Sequence, residues 1–126
     1  ILRLGGIYGP NRTLLKRAAI LSEKGLSGTG NEVTNHIHLE DIVGAIKYFT
    51  IKQITGLFNL VNDDHPKRID LYIALCNLQG LPRPQLIDQQ PTRDLSNLAY
   101  PNELVKERGY IFKHPHLSTE YPDLEI

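Results

Sequence analysis

Helix-like and strand-like patterns alternate along this chain, and the alternation is what most limits the folds it can adopt. The clearest helical pattern starts at Leu39, and Glu40 and Asp41 lie in its first turn, where the helix dipole favours acids. Its apolar residues recur at helical spacing: Leu39, Ile42, Val43, Ile46 and Phe49. Gly56 ends this region, and 57–61 then has a strand pattern. Alternation of this kind predicts an α/β fold with a small sheet.

The remaining elements fit the same alternation. Further strands are predicted at 1–4, 33–38 and 85–88, and further helices at 13–24, 69–78 and 102–108. Asn11 is a candidate N-cap of the first helix and Gly25 its stop. Residues 7–12 and 27–32 are predicted to be loops, because they are rich in glycine and polar residues.

Composition excludes several classes of protein. A length of 126 residues predicts one domain, spanning 1–126. The 14 basic and 14 acidic residues cancel, which gives no electrostatic reason to expect nucleic acid or an anionic membrane as a partner. No apolar run approaches the roughly 20 residues that span a bilayer. Cys76 is the single cysteine, so no disulfide can form within the chain, and a cytoplasmic protein with a buried, inert thiol is expected.

The start of the chain is unusual for a complete protein. It contains no Met and opens directly on a strand pattern, 1–4, with no turn before it. We therefore expect a segment of a longer protein. An isolated edge strand leaves its backbone groups unpaired, which predicts a homodimer or a proteolytic remnant.

Three segments together resemble extended and atypical short-chain dehydrogenases/reductases of the epimerase/dehydratase family. Residues 1–12 resemble that family's late core strand and Tyr-Gly-Pro loop, 35–45 its Ile-His-Val-x-Asp helix entry, and 57–61 its strand before a turn. A fourth, weaker match runs from Asn102 through Tyr110 and Phe112 to Pro115. The matches follow the family's order over most of the chain.

The resemblance implies the C-terminal, substrate-binding portion of an NAD(P)-dependent protein: its last core strand plus a small α/β subdomain. A dinucleotide site needs glycines where a strand turns into a helix, and no such fingerprint is present. The family's catalytic Tyr-x-x-x-Lys is also missing. Tyr48 and Lys52 match the spacing but lie late in the helix after the His38 entry, so we interpret them as coincidence. NAD or NADP is expected in the parent protein, and none in this chain alone.

The resemblance assigns roles to a few residues. Tyr8, Gly9 and Pro10 would lie beside the nicotinamide, although the same residues also suit a plain turn. Arg12 would bind a phosphate or carboxylate of the substrate, which suits a nucleotide sugar, or it is a solvated residue at a helix start.

His38 is assigned to the substrate side, without a catalytic role. A His–Asp pair needs a nucleophile to act on, and none is adjacent. The simpler interpretation is that Asp41 complements the helix N-terminus while His38 hydrogen-bonds locally. Two His-x-His pairs, 36/38 and 114/116, have no evident carboxylate or cysteine to complete a ligand set, so no metal is predicted.

Two functions remain open from the sequence. The first is the substrate-binding part of a sugar-nucleotide epimerase/dehydratase-like oxidoreductase, inactive alone, whose own status as an enzyme stays undecided. The second is a non-enzymatic relic or regulatory module of the same fold that binds a small molecule or a protein.

Overall fold

The computed structural model describes residues 1–88 and 98–117, which divide into two compact units. The first unit contains residues 1–9, 35–64 and 100–117, and the second contains 10–34, 65–88 and 98–99. The elements are, in chain order, β1 (Leu2–Leu4), β2 (Gly6–Tyr8), α1 (Leu14–Lys24), β3 (Leu26–Ser27), β4 (His36–His38), α2 (Leu39–Ile51), β5 (Phe58–Leu60), α3 (Arg68–Leu78), β6 (Leu86–Asp88) and α4 (Glu103–Glu107). The fold is α/β with parallel strand pairs, and the predicted helices are all present.

In the first unit one nearly continuous stretch of chain pairs with two different strands. β1 pairs with β5 and β2 pairs with β4, both in parallel. The change of partner occurs at Gly5, whose N–H donates to the Leu60 carbonyl at 3.2 Å, while the next N–H donates to Asn35 at 2.7 Å. A Cβ on Gly5 would lie 2.7 Å from the Asn35 carbonyl oxygen, so this crossing requires glycine.

The prediction of a loop over 7–12 was wrong for its first residues. Ile7 and Tyr8 belong to β2, because the backbone of His36–His38 lies beside them and supplies hydrogen-bond partners. A strand of three residues is too short to show a periodic pattern, and Gly9-Pro10 directly after it dominated the local signal.

Helix α2 packs only one part of its apolar surface into the core of the first unit. Ile42, Ala45 and Phe49 are buried against Ile37 and Phe58. The rest of the predicted stripe is exposed in the described residues: Leu39 at 43%, Val43 at 46% and Ile46 at 52%. The helix is therefore apolar over a wider face than the one it buries here.

In the second unit helices α1 and α3 pack together. Ala18 and Leu21 of α1 and Leu75 of α3 are buried. Cys76 is fully buried as expected: its thiol lies 3.5 Å from the Ala18 carbonyl oxygen, and burial raises its pKa. The second unit also contains β3, which lies partly in the predicted 27–32 loop and pairs with β6.

The N-cap of α1 differs from the prediction. Thr13 is the cap, and its hydroxyl oxygen accepts from the Lys16 N–H at 3.1 Å. Asn11 instead adopts a left-handed conformation with φ 66°. Gly25 ends the helix as predicted, with its N–H donating to Leu21 at 2.8 Å. None of the helices in 1–88 and 98–117 has the length and apolar character needed to cross a membrane.

Candidate functional site

The residues with the strongest functional signal lie at the carboxyl ends of β2 and β4. Tyr8 and His38 are opposite each other in the parallel register. Open α/β sheets bind ligands just beyond this edge, because successive loops diverge there and leave a crevice. The assignment of both residues to a binding site stays a prediction, and this edge is where it would apply.

The Tyr8 ring is held by the two histidines of β4. It meets the His38 ring edge-on, with centroids 5.0 Å apart and an interplanar angle of 86°, and the His36 ring at 6.1 Å and 84°. Its exposed fraction is 5%. Edge-to-face contacts of this kind fix a ring's orientation in addition to burying it.

Gly9 follows at the point where β2 reaches the start of α2. A Cβ at this position would lie 3.1 Å from the Leu39 Cβ and 3.6 Å from His38 Cε1. That approach is tighter than an ordinary van der Waals contact, so a side chain here would require Leu39 or the Gly9 backbone to shift by a few tenths of an ångström. Glycine keeps the Tyr8 backbone close to His38.

His38 is the N-cap of α2. Its Nδ1 accepts a hydrogen bond from the Glu40 N–H at 3.0 Å. The neutral ring must then carry its proton on Nε2. Burial lowers the pKa of His38, and nearby His114 lowers it further; Glu40 and Asp41 oppose this without reversing it. At neutral pH the ring is therefore uncharged.

The Asp41 side chain does not cap the helix. It anchors residues 102–117, the C-terminal segment of the first unit. It is fully buried. One carboxylate oxygen accepts from the Tyr110 hydroxyl at 2.7 Å and from the Lys113 N–H at 2.7 Å, and the other accepts from the His114 N–H at 2.9 Å. The prediction that Asp41 complements the helix N-terminus while His38 bonds locally is thus correct for His38, and it misses the long-range role of Asp41.

Gly44 leaves the space in which the Tyr110 hydroxyl reaches the Asp41 carboxylate. A Cβ on Gly44 would lie 2.6 Å from the Tyr110 hydroxyl oxygen, so a larger residue would displace it. Burial raises the pKa of Tyr110 strongly, and the hydrogen bond to Asp41 raises it further. The phenol therefore stays protonated and keeps donating.

His38, Glu40 and His114 form a cluster that sequence reasoning missed. Each offers a potential ligand atom, and these atoms lie within 4.8 Å of one another. The expectation that no carboxylate accompanies the histidine pairs was wrong, since Glu40 Oε1 lies 3.3 Å from His114 Nε2. Nothing local in the sequence links residue 38 to residue 114.

The ring geometry of this cluster disfavours a metal ion. The His38 and His114 rings are stacked, with centroids 3.7 Å apart and planes within 15° of each other. An imidazole nitrogen binds zinc in its ring plane at about 2.0–2.1 Å, and nearly parallel rings direct their lone pairs side by side instead of toward one point. The positive end of α2 also opposes a cation. The arrangement suits an aromatic stack better than a metal centre.

Two further carboxylates hold the same C-terminal segment. Asp63 accepts from Asn102 Nδ2 at 2.9 Å and from Lys106 Nζ at 2.6 Å. Asp64 accepts from His116 Nδ1 at 2.9 Å and from the Leu117 N–H at 2.8 Å. The acids of the turn 62–66 thus fix α4 and residues 116–117.

The other predicted residues fall elsewhere. Pro10 and Arg12 belong to the second unit, and both are exposed there. Tyr48, one half of the coincidental Tyr-x-x-x-Lys match, donates its hydroxyl to the Arg108 carbonyl at 3.0 Å. Lys52 lies just beyond the end of α2.

Comparison with known proteins relates the chain to part of a larger fold. No family model matches it. Protein YeeZ of Escherichia coli K12 is 29% identical over 119 residues, covering 91% of this chain and 40% of YeeZ. A putative NAD-dependent epimerase/dehydratase from Methylobacillus flagellatus superposes with a TM-score of 0.72 at 27% identity, covering 92% of this chain and 42% of that one. The chain matches part of an epimerase/dehydratase fold.

A more distant structure extends this relation at the level of the fold. The UDP-glucose 4-epimerase of Thermus thermophilus, solved in complex with NAD, gives a TM-score of 0.66 at 17% identity, over 89% of this chain and 40% of the epimerase. The chain therefore spans about two fifths of the length of the proteins that it matches.

Proposed function

We propose that this chain is the C-terminal, substrate-side portion of an NAD(P)-dependent sugar-nucleotide epimerase/dehydratase-like oxidoreductase. The observation that carries the proposal is the nearly complete match of the chain to about two fifths of such a fold. The strand ends at Tyr8 and His38 support it, because they place aromatic and polar side chains where sheets of this class bind ligands.

Each predicted residue has a specific part in this proposal. Tyr8, Gly9 and Pro10 would border the nicotinamide, with Tyr8 held in place by His38. Arg12, which is exposed, would bind a phosphate of the substrate with its planar guanidinium. His38 has its Nδ1 committed to α2, so contact with the substrate would go through the opposite edge of its ring.

The hydride chemistry would reside elsewhere in the parent protein. NAD or NADP would carry it, and the protein would supply position and electrostatics. This chain lacks the glycine fingerprint and an organised Tyr-x-x-x-Lys, so we expect it to be inactive alone.

The test is calorimetric titration with NAD(H) and NADP(H). We expect no binding to the 126-residue chain and clear binding to the complete gene product. Cofactor binding by the 126-residue chain itself would overturn the assignment of the cofactor site to another part of the parent. Binding to neither would favour the second candidate, a non-enzymatic module of the same fold.

We further propose that isolated copies of this chain form a homodimer. β1 pairs on one side with β5, and Leu4 and Ile7 along the same stretch are 44% and 40% exposed. The exposed stripe of α2 adds to this apolar surface. Sedimentation of a dilute sample as a clean monomer would contradict the dimer, and Val43→Glu should favour the monomer if the stripe contributes.

A further inference from the structure

The N-terminus of α2 and the segment that follows Phe112 are joined by two kinds of contact. The first is the Asp41 carboxylate, which accepts from the Lys113 and His114 backbone N–H groups. The second is the ring stack between His38 and His114, backed by the contact from His114 Nε2 to Glu40. Only the second contains His38, whose imidazole can gain a proton in mildly acidic solution.

We propose that the stacked imidazoles of His38 and His114 form an acid-sensitive latch, which holds Lys113 and His114 against α2 at neutral pH and loosens when His38 is protonated. This device is independent of the proposed function, since it uses contacts within one unit and no ligand. The latch joins Lys113 and His114 to His38, whose ring also contacts the Tyr8 ring edge-on.

The hydrogen bond of the helix cap makes the latch sensitive to one proton. Nδ1 of His38 is an acceptor, with the Glu40 N–H pointing at it from 3.0 Å. A proton on Nδ1 would place two hydrogens face to face, so the ring must rotate and the cap is lost. Rotation also breaks the 3.7 Å stack on His114.

The charged surroundings of His38 set the direction of the response. On α2, Glu40 and Asp41 favour the imidazolium; from the C-terminal segment, His114 disfavours it, and burial disfavours it most. From β2 the ring of Tyr8 faces His38, and the Tyr8 ring is also in edge contact with His36.

The C-terminal side contributes Tyr110 and Lys113, both bonded to Asp41. The pKa of His38 is lowered by the balance of these effects. Its contribution to stability is therefore present above the ordinary value of about 6.5 and is lost as the pH falls through the lowered value.

Amide hydrogen exchange on the 126-residue chain tests the latch. Between pH 7.5 and 5, we expect the protection factors of the Lys113 and His114 amides to fall about fivefold, the loss that corresponds to a helix cap. His38→Asn is the matched variant, because asparagine is a good N-cap that does not titrate in this range. In this variant the two protection factors should stay constant over the same interval.

The chain offers an internal control. The Leu117 amide donates to Asp64, whose other partner, His116, becomes a stronger donor in acid. The protection factor of the Leu117 amide should therefore not fall between pH 7.5 and 5. An equal fall at Leu117, Lys113 and His114, or equal behaviour of the wild type and His38→Asn, would overturn the proposal.

A second measurement keeps the proposal testable if the variant does not fold. Nitrogen-15 shifts of the His38 ring in the wild type report its tautomer. We expect an unprotonated Nδ1 at pH 7.5 that gains its proton below about pH 6.5. A proton on Nδ1 at pH 7.5 would overturn the latch regardless of any variant.

Discussion

The buried carboxylate of Asp41 should be sensitive to substitution, and Asp41→Asn isolates its charge at nearly constant shape. One oxygen accepts from Tyr110 and Lys113, and the other accepts from His114. Asparagine can keep the first two bonds but loses their charge assistance, about 1 kcal/mol each. It also turns an N–H toward the His114 N–H, which leaves a buried donor unpaired at about 1–3 kcal/mol.

The sum is a destabilisation of about 3–5 kcal/mol, large for one substitution in a domain of ordinary stability. Urea unfolding followed by far-ultraviolet circular dichroism measures it as a lower midpoint at unchanged slope. Asp70→Asn is the matched control, because Asp70 is an exposed acid in the first turn of α3 and should cost a few tenths of a kcal/mol at most. A change below about 0.5 kcal/mol for Asp41→Asn would refute the argument that this carboxylate anchors the segment.

Three more predictions follow from individual contacts. Gly44→Ala should destabilise by about 1–3 kcal/mol despite alanine's higher helix propensity, because its Cβ would lie 2.6 Å from the Tyr110 hydroxyl. Chemical denaturation should show a smaller loss of stability when Gly44→Ala is made in a Tyr110→Phe background, and an equal loss in both backgrounds would rule out the clash. The hydrogen bond to Asp64 raises the pKa of His116, so this pair stabilises below the ordinary value of about 6.5 and is lost as the pH rises through the raised value; an NMR titration should find the raised midpoint return toward normal in Asp64→Asn. Burial raises the pKa of Cys76, so the folded chain should react slowly with a thiol reagent and the urea-unfolded chain quickly; fast labelling under native conditions would contradict its burial.

The sequence predicted what local periodicity can encode. Helix α2 begins at Leu39, where its repeating apolar stripe predicted a start, and it ends at Ile51, before Gly56. Helix α3 appears within a residue of its expected bounds, which a broad apolar run indicated. The short strand β2 was missed because three residues contain no period. The choice of Thr13 over Asn11 as a cap depended on a backbone turn that composition does not reveal.

The candidate site was predicted in part, and the division has a physical reason. Tyr8 and His38 come from motifs, and their neighbouring strands bring them together. The partners of Asp41 lie up to 73 residues away along the chain, so no window of sequence contains the contact. The weak match from Asn102 to Pro115 was the available signal, since it covers Tyr110 and the backbone that Asp41 binds.

The first unit's construction from three separated stretches of chain has a consequence for its synthesis. Its core includes Val105, Tyr110 and Phe112 beside Ile37 and Phe58, so it cannot close until the segment after residue 100 has emerged from the ribosome. Until then Asp41 is a carboxylate without its donors, and the apolar face of α2 is open to chaperones. Contacts this distant along the chain also slow folding, because the loop between them must close before any of them forms. During translation, the part of the molecule that contains Tyr8 and His38 should therefore be among the last to become protected from proteases.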